Sequence, residues 1–192
     1  MPATGPRPLR ADAQRNRDRL LAAALRAFSQ GGPEATLDAI ARGAGVGIGT
    51  LYRNFPTREA LIEAAYRSEL AKLHDAAADL LRSLPPDRAL RSWMDRYVDY
   101  MSTKRGLAGA LRTVIASGGN PYAQSRDSLI AAITTLLHAG AAAGTVRSDI
   151  GPEDVLTGLS GVCLAAGEPD RREQAGRLLD LLMDGLRHGA GG

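Results

Sequence analysis

The chain has 192 residues, 44% hydrophobic, 23% charged and 4% aromatic, which is enough for one or two units with true cores and excludes a disordered or fibrous chain. Its formal charge is only +3, yet residues 1–58 hold nine arginines against four acids, while the rest holds 15 bases and 17 acids; the positive field sits at one end, where a polyanion is the natural partner. A single cysteine, Cys163, excludes an internal disulfide framework or a cysteine zinc site.

Residues Met1 to Arg10 are proline- and arginine-containing and lack the apolar stretch of a secretory signal, so a cytoplasmic protein is expected. Residues 1–11 read as a flexible basic arm. Asp12 can cap a first helix, whose Leu20, Leu21, Ala24, Leu25 and Phe28 share one face. Gly31, Gly32 and Pro33 stop it. Thr36 caps a short second helix with Leu37, Ile40 and Ala41 inward, and Gly45 interrupts it. A third short helix spans about Ile48 to Asn54 and ends at Phe55-Pro56. Thr57 caps a longer fourth helix carrying Leu61, Ile62, Ala65, Leu70 and Leu73.

After Pro85-Pro86 come a helix with a regular stripe of Leu90, Trp93, Met94, Tyr97, Val98 and Met101, and another over roughly Leu107 to Ala116. A loop precedes a long helix expected over Tyr122 to Ala143. Ser128 to Val146 has no formal charge, but its threonines, glycines and alanines make it too weakly apolar for a membrane span; a helix in a soluble core is expected. Pro152 fits the first turn of a helix reaching Cys163, and a last helix runs from about Arg171 to Arg187. Residues 189–192 should fray. Every element has helical period, so the fold class is all-α. The expected organisation is an arm (1–11), a first helical domain (12–58), a connecting helix with a larger second helical domain (59–188), and a tail (189–192).

The most informative stretch is Thr36 to Leu61, TLDAIARGAGVGIGTLYRNFPTREAL. Two helices too short to stand alone meet at Gly45, which is free to take the left-handed conformation of a sharp turn. Ala41 and Ala44 permit close contact. Ile40, Val46, Leu51 and Phe55 should pin the pair to the first helix through Leu21, Leu25 and Phe28. This is a helix-turn-helix pattern, whose second helix enters the major groove of DNA. That helix would present Gly47, Ile48, Thr50, Tyr52 and Arg53, groups able to bond phosphates or base edges or to meet a thymine methyl.

The segment AIARGAGVGIGTLYRNFPTREAL, with RLLAAALRAF before it, resembles the TetR family of one-component regulators over roughly Asp12 to Tyr66. The resemblance implies an all-helical homodimer with a variable effector-binding C-terminal domain. It implies that Thr36 and Tyr52 touch phosphates, that Thr50 touches phosphate or base, and that Arg58, where the family usually has lysine, holds phosphate at the start of the fourth helix. Gly47 stands where serine or threonine is common, Asn54 where histidine or tyrosine is common, and Pro56 is less usual. RSWMDRYVDYMSTKRGLAGAL resembles the SbtR-like branch of the same family.

In the C-terminal part, Trp93, Met94, Tyr97, Tyr100 and Met101 read either as a plain core stripe or as a pocket wall facing Leu111, Val114, Ile115, Tyr122, Ile133 and Leu137. Adaptable methionines and polar-tipped tyrosines would suit a small apolar or amphipathic effector. Val155, Leu159, Val162, Leu178, Leu182 and Leu186 on the last two helices would pack against a second copy as a four-helix interface.

The glycine run Gly43 to Gly49 lacks phosphate-loop spacing, a preceding strand and a following Gly-Lys-Ser/Thr. His74, His138 and His188 are dispersed and nothing in their spacing calls for a metal. Ser117 and Ser160 lack a nucleophile-elbow setting. Asp95 and Asp99, one turn apart, read as a solvated face near Arg91 and Arg96. No enzyme, cofactor or metal is therefore expected. The expected function is an effector-controlled transcriptional regulator bound to double-stranded operator DNA as a homodimer, a repressor in the first reading, with activation left open. Rival readings are a helical small-molecule-binding protein and a non-specific architectural DNA-binding protein.

Overall fold

The structure is a computed structural model and describes residues 7–166 and 169–187. Among the described residues it contains nine α-helices and no strand: α1 (Arg7–Gly31), α2 (Leu37–Gly43), α3 (Ile48–Asn54), α4 (Arg58–Ser83), α5 (Pro86–Gly106), α6 (Ala108–Ala116), α7 (Ser125–Ala142), α8 (Pro152–Ala166) and α9 (Arg172–Arg187). Short 3-10 turns at Gly32–Glu34 and Pro169–Arg171 precede α2 and α9. The all-α expectation holds.

Helix starts follow local chemistry. Thr57 Oγ1 accepts from the Ala60 amide at 3.0 Å, so α4 begins at its expected cap. Pro86 and Pro152 sit at the first positions of α5 and α8, where the missing amide costs nothing. Two starts differ from expectation. α1 begins at Arg7 rather than after Asp12, with Pro8 in its first turn, so residues 7–11 are helical and Asp12 pairs with Arg15 one turn on instead of capping. Residues 1–6 of the expected arm, His188 and the expected frayed tail (189–192) lie outside the described residues. α7 begins at Ser125 and not Tyr122, because Gln124 takes φ +67°, a left-handed conformation that no helix interior contains.

The chain forms two compact units. The first comprises residues 1–68 with 106–121. Its core is built from Leu20, Leu21, Ala24 and Phe28 of α1, Ile40 and Ala41 of α2, Leu51 and Phe55 around α3, Leu61, Ile62 and Tyr66 of α4, and Leu107, Leu111 and Val114 around α6. α4 thus lends its first turns to this unit beyond residue 58, because Leu61, Ile62, Ala65 and Tyr66 are fully buried there.

The second unit comprises residues 69–105 and 122–192. Trp93, Leu90, Met94 and Val98 of α5 pack with Ile133 and Leu136 of α7, Leu159 and Cys163 of α8, and Leu179 and Met183 of α9 as its buried residues. Trp93 resolves its polar handle by donating Nε1–H to the Leu73 carbonyl at 2.8 Å. Ion pairs tie α5 to α9: Arg91 to Asp180 at 2.7 Å, Arg172 to Asp95 at 3.0 Å and Asp99 at 3.2 Å, and Arg187 to Asp87 at 2.8 Å. No helix among the described residues is long and apolar enough to cross a membrane.

Candidate nucleic-acid interface

The interface begins at Thr36, the N-cap of α2. Its backbone is extended and its Oγ1 accepts from the Ala39 amide at 3.2 Å. That bond uses a lone pair and leaves the hydroxyl proton, the part a phosphate oxygen needs. α2 ends in a Schellman arrangement: Gly45 donates to the Arg42 carbonyl at 3.0 Å and Val46 to the Ala41 carbonyl at 3.1 Å. Gly45 holds φ +67° at the turn. Only glycine adopts that conformation without strain, so the helix pair turns where the sequence required it.

Gly47 caps α3 with an extended backbone and no side chain. The helix is anchored by Leu51 and Phe55, both buried, and Arg17 lies 4.6 Å over the Phe55 ring. The two expected pins Val46 and Leu25 are only half-buried. On the opposite side, Ile48 is 37% and Tyr52 50% exposed, one turn apart on a single stripe. Gly49 and Arg53 form the neighbouring exposed stripe, with Thr50 half-buried between. Arg53 folds along its own helix: Nε donates to the Gly49 carbonyl and Nη2 to Thr50 Oγ1, each at 3.2 Å. Asn54 closes the helix end by donating Nδ2–H to the Thr50 carbonyl at 2.8 Å. Gly47, Ile48, Thr50, Tyr52 and Arg53 are therefore gathered on one short element.

Arg58 is placed differently from the rest. It is half-buried, its guanidinium lies 4.8 Å over the Phe28 ring, and Nη1 donates to the Ala35 carbonyl. It ties the start of α4 to α1 and to the residue before the Thr36 cap. Sequence reasoning also passed over Arg19 and Arg42. Both are exposed, and the Arg19 guanidinium reaches within 3.8 Å of where a Cβ on Gly45 would stand. Nothing in the helical period of α1 marks Arg19 as a neighbour of that turn.

The expected pocket wall is corrected in part. Trp93, Met94 and Ile133 are fully buried core residues, and Trp93 stacks on Tyr97 with centroids 6.0 Å apart. Leu111 and Val114 are buried in the first unit and Ile115 is exposed there. Leu137 borders a separate concavity of about 410 Å³ beside His138 and Arg147. Tyr97, Met101 and Tyr122 do come together, lining an open cleft of about 450 Å³ with Tyr100, Lys104 and Arg126. The expected dimer face is corrected too. Val155, Leu159 and Leu186 are buried within the chain's own core, because their stripes on α8 and α9 face α5 and each other. Val162, Leu178 and Leu182 stay half-exposed, and Leu164 and Leu181 are 90% and 67% exposed.

Titration away from the interface is local. Burial pushes the Cys163 thiol up, against the opposing pull of Arg105 and Arg172; it is a packing residue. The Arg147 hydrogen bond holds Asp149 below the usual carboxylate range. No group of three or more potential metal ligands occurs among the described residues.

A short helix clamped on a buried three-helix base, with hydroxyl, guanidinium and aliphatic groups outward, defines a helix-turn-helix DNA-binding protein. Residues 20–65 match the family described as bacterial regulatory proteins, tetR family, and residues 85–188 match the transcriptional regulator SbtR-like, C-terminal domain. The chain belongs to the TetR family of bacterial transcriptional regulators. It is similar to a TetR transcriptional regulator from Streptomyces coelicolor, 58% identical over 89% of this chain and 98% of that one, with TM-score 0.85. A TetR transcription regulatory protein from Mycobacterium vanbaalenii is 33% identical over 94% and 99% of the two chains, with TM-score 0.76. The fatty acid degradation regulator of Bacillus halodurans shares the fold at 17% identity, covering 88% and 99%, with TM-score 0.61. No curated protein matches this chain.

Proposed function

We propose that this regulator is a repressor that binds a near-palindromic operator as a homodimer and leaves it when a small molecule occupies the second unit. The observation that carries the reading is the outward edge of α3, in which Ile48, Tyr52 and Arg53 are exposed while Leu51 and Phe55 are buried. Thr36, Gly47, Thr50 and Arg58 are assigned to the same contact, with Tyr52 and Thr36 on phosphates and Thr50 and Arg53 nearer the bases. Two copies would set their α3 helices about 34–36 Å apart, one turn of duplex, or a multiple of it.

The second copy is assigned to the α8–α9 face. Leu164 and Leu181 are large apolar side chains in water, and Val162, Leu178 and Leu182 flank them half-exposed. Burying that surface against its equivalent is the isologous solution open to a chain of this kind. Effector control needs a ligand that binds one dimer spacing better than another, and it can move the equilibrium only by that difference.

Selection of bound fragments from genomic DNA, followed by mobility shifts against excess bulk DNA, tests the reading. A recovered inverted repeat that resists competition is the expected result. Binding that bulk DNA abolishes as readily as any promoter would make the protein an architectural one.

A further inference from the structure

The cleft in the second unit has a one-sided chemistry. Lys104 and Arg126 are its charged lining residues, and no carboxylate lines it. Neither cation forms an ion pair among the described residues; the Lys104 ammonium instead rests 4.7 Å over the Tyr122 ring. By contrast, Arg91, Arg147, Arg172 and Arg187 of this unit pair with aspartates. Two unneutralised cations at one concavity of about 450 Å³ create a field that an anionic group relieves and a cation opposes.

The rest of the lining is apolar or already occupied with its own bonds. The Ser160 hydroxyl donates to the Leu156 carbonyl at 2.8 Å. Its one proton is therefore spent, and Tyr97 is the donor in their 3.1 Å contact. The Thr157 hydroxyl donates to the Glu153 carbonyl at 2.8 Å. Met101, Leu129 and Leu156 offer hydrocarbon. The volume falls in the small-molecule range.

We propose that this cleft takes small amphiphilic carboxylates, with the anionic head held by Lys104 and Arg126 and the hydrocarbon body laid against Met101, Leu129 and Leu156. The assignment deepens, and rests on, the reading of the second unit as the effector-binding part. A free acid is specified, since an ester, amide or thioester of the same chain presents no charge to the two cations.

Isothermal titration calorimetry of the full chain tests this with hexanoate, octanoate, methyl octanoate, octanamide, octylamine and octyl phosphate. Octanoate should bind, about fourfold tighter than hexanoate for each added methylene at most. The ester and amide should be weaker by about tenfold or more, the loss expected for a charge-assisted bond, and octylamine should not bind. Lys104→Gln and Arg126→Gln should each weaken octanoate about tenfold and leave octanamide as it was, with the far-ultraviolet dichroism of the parent. The proposal is overturned if no carboxylate binds, if ester or amide equals octanoate, if octyl phosphate binds tighter, or if the double variant K104Q/R126Q binds octanoate unchanged. DNA release is read separately by mobility shift. Octanoate bound without release would sink the effector reading and still leave the cleft to carboxylates.

Discussion

The Arg58 guanidinium stands 4.8 Å above the Phe28 ring and donates to the Ala35 carbonyl, so the residue that family resemblance assigns to phosphate also braces the domain that presents α3. The two roles can coexist, because a guanidinium carries five N–H donors and can serve several partners at once. Their consequences separate. Arg58→Ala should lower unfolding stability by about 1–2 kcal/mol through loss of the stack and the bond. It should also reduce the salt slope of DNA binding by about one unit. Arg58→Lys should keep the slope and lose most of the bracing. A thermal midpoint unchanged in both variants would remove the structural role, and an unchanged slope in the alanine variant would remove the phosphate role.

On α3 the exposed Tyr52 and the half-buried Thr50 can be changed without touching the buried core. Tyr52 is 50% exposed, so Tyr52→Phe deletes one hydroxyl from solvent. Thr50→Ala deletes the acceptor that Arg53 uses in the free protein. Both variants should unfold like the parent, within about 0.5 kcal/mol, as surface substitutions do. Each should weaken operator binding by roughly five- to tenfold, the worth of one ordinary hydrogen bond. Operator affinity equal to the parent, measured by fluorescence anisotropy, would take that hydroxyl off the interface.

Gly45 and Gly47 make opposite predictions from the same short segment. Gly45 has φ +67°, so Gly45→Ala should destabilise by about 1 kcal/mol or more through backbone strain alone. Gly47 has φ −72° and ψ 151°, the extended geometry of an N-cap, and a Cβ there would meet nothing within 4 Å. Gly47→Ser should therefore stabilise by about 0.5–1 kcal/mol, combining a cap for α3 with a less flexible unfolded chain. Chemical denaturation of the pair is decisive: two shifts of the same sign would contradict the turn geometry.

Acid should loosen the second unit. The Arg187 hydrogen bond, ahead of the opposing effect of burial, holds Asp87 below the usual carboxylate range. A lowered folded pKa means that the stabilisation is fully present above the unfolded value, about 4, and is lost as pH falls through the folded value. Stability should thus be flat on this account near neutrality and decline below about pH 4. Asp87→Asn should remove part of that decline while costing some stability at pH 7. If the variant and parent lose stability in parallel below pH 4, the Asp87–Arg187 pair is not linked to folding.

What the sequence disclosed and what it hid divide by range. The Thr36 cap, the positive φ of Gly45 and the bounds of α3 are local matters, decided by hydroxyl, glycine and a following Phe-Pro, and they were legible. The start of α7 was not, since only the left-handed backbone of Gln124 holds Tyr122 outside the helix. The cleft was half-legible. Tyr97, Met101 and Tyr122 announce themselves by type, but an apolar stripe reads the same whether it meets core or cavity, as Trp93, Met94 and Ile133 demonstrate. Leu111 and Val114 pack with the first unit through contacts distant in sequence. Lys104 and Arg126 carried no signal, because an unpaired cation is recognised only when its surroundings are known.

The same ambiguity governs α8 and α9, and substitution resolves it. Leu181 and Leu164 are 67% and 90% exposed, whereas Leu186 is 3% exposed. Leu181→Glu should leave the monomer's fold intact, because the charge enters water, and should abolish self-association if this face is the homodimer contact. Leu186→Glu places a carboxylate in the core, a change costing several kcal/mol, and should unfold the second unit before it alters any interface. Sedimentation velocity with thermal melts distinguishes the two. A Leu181→Glu protein that still sediments as a dimer would move the partner copy to another face, and a parent that sediments as a monomer at micromolar concentration would remove the homodimer from the account of DNA binding.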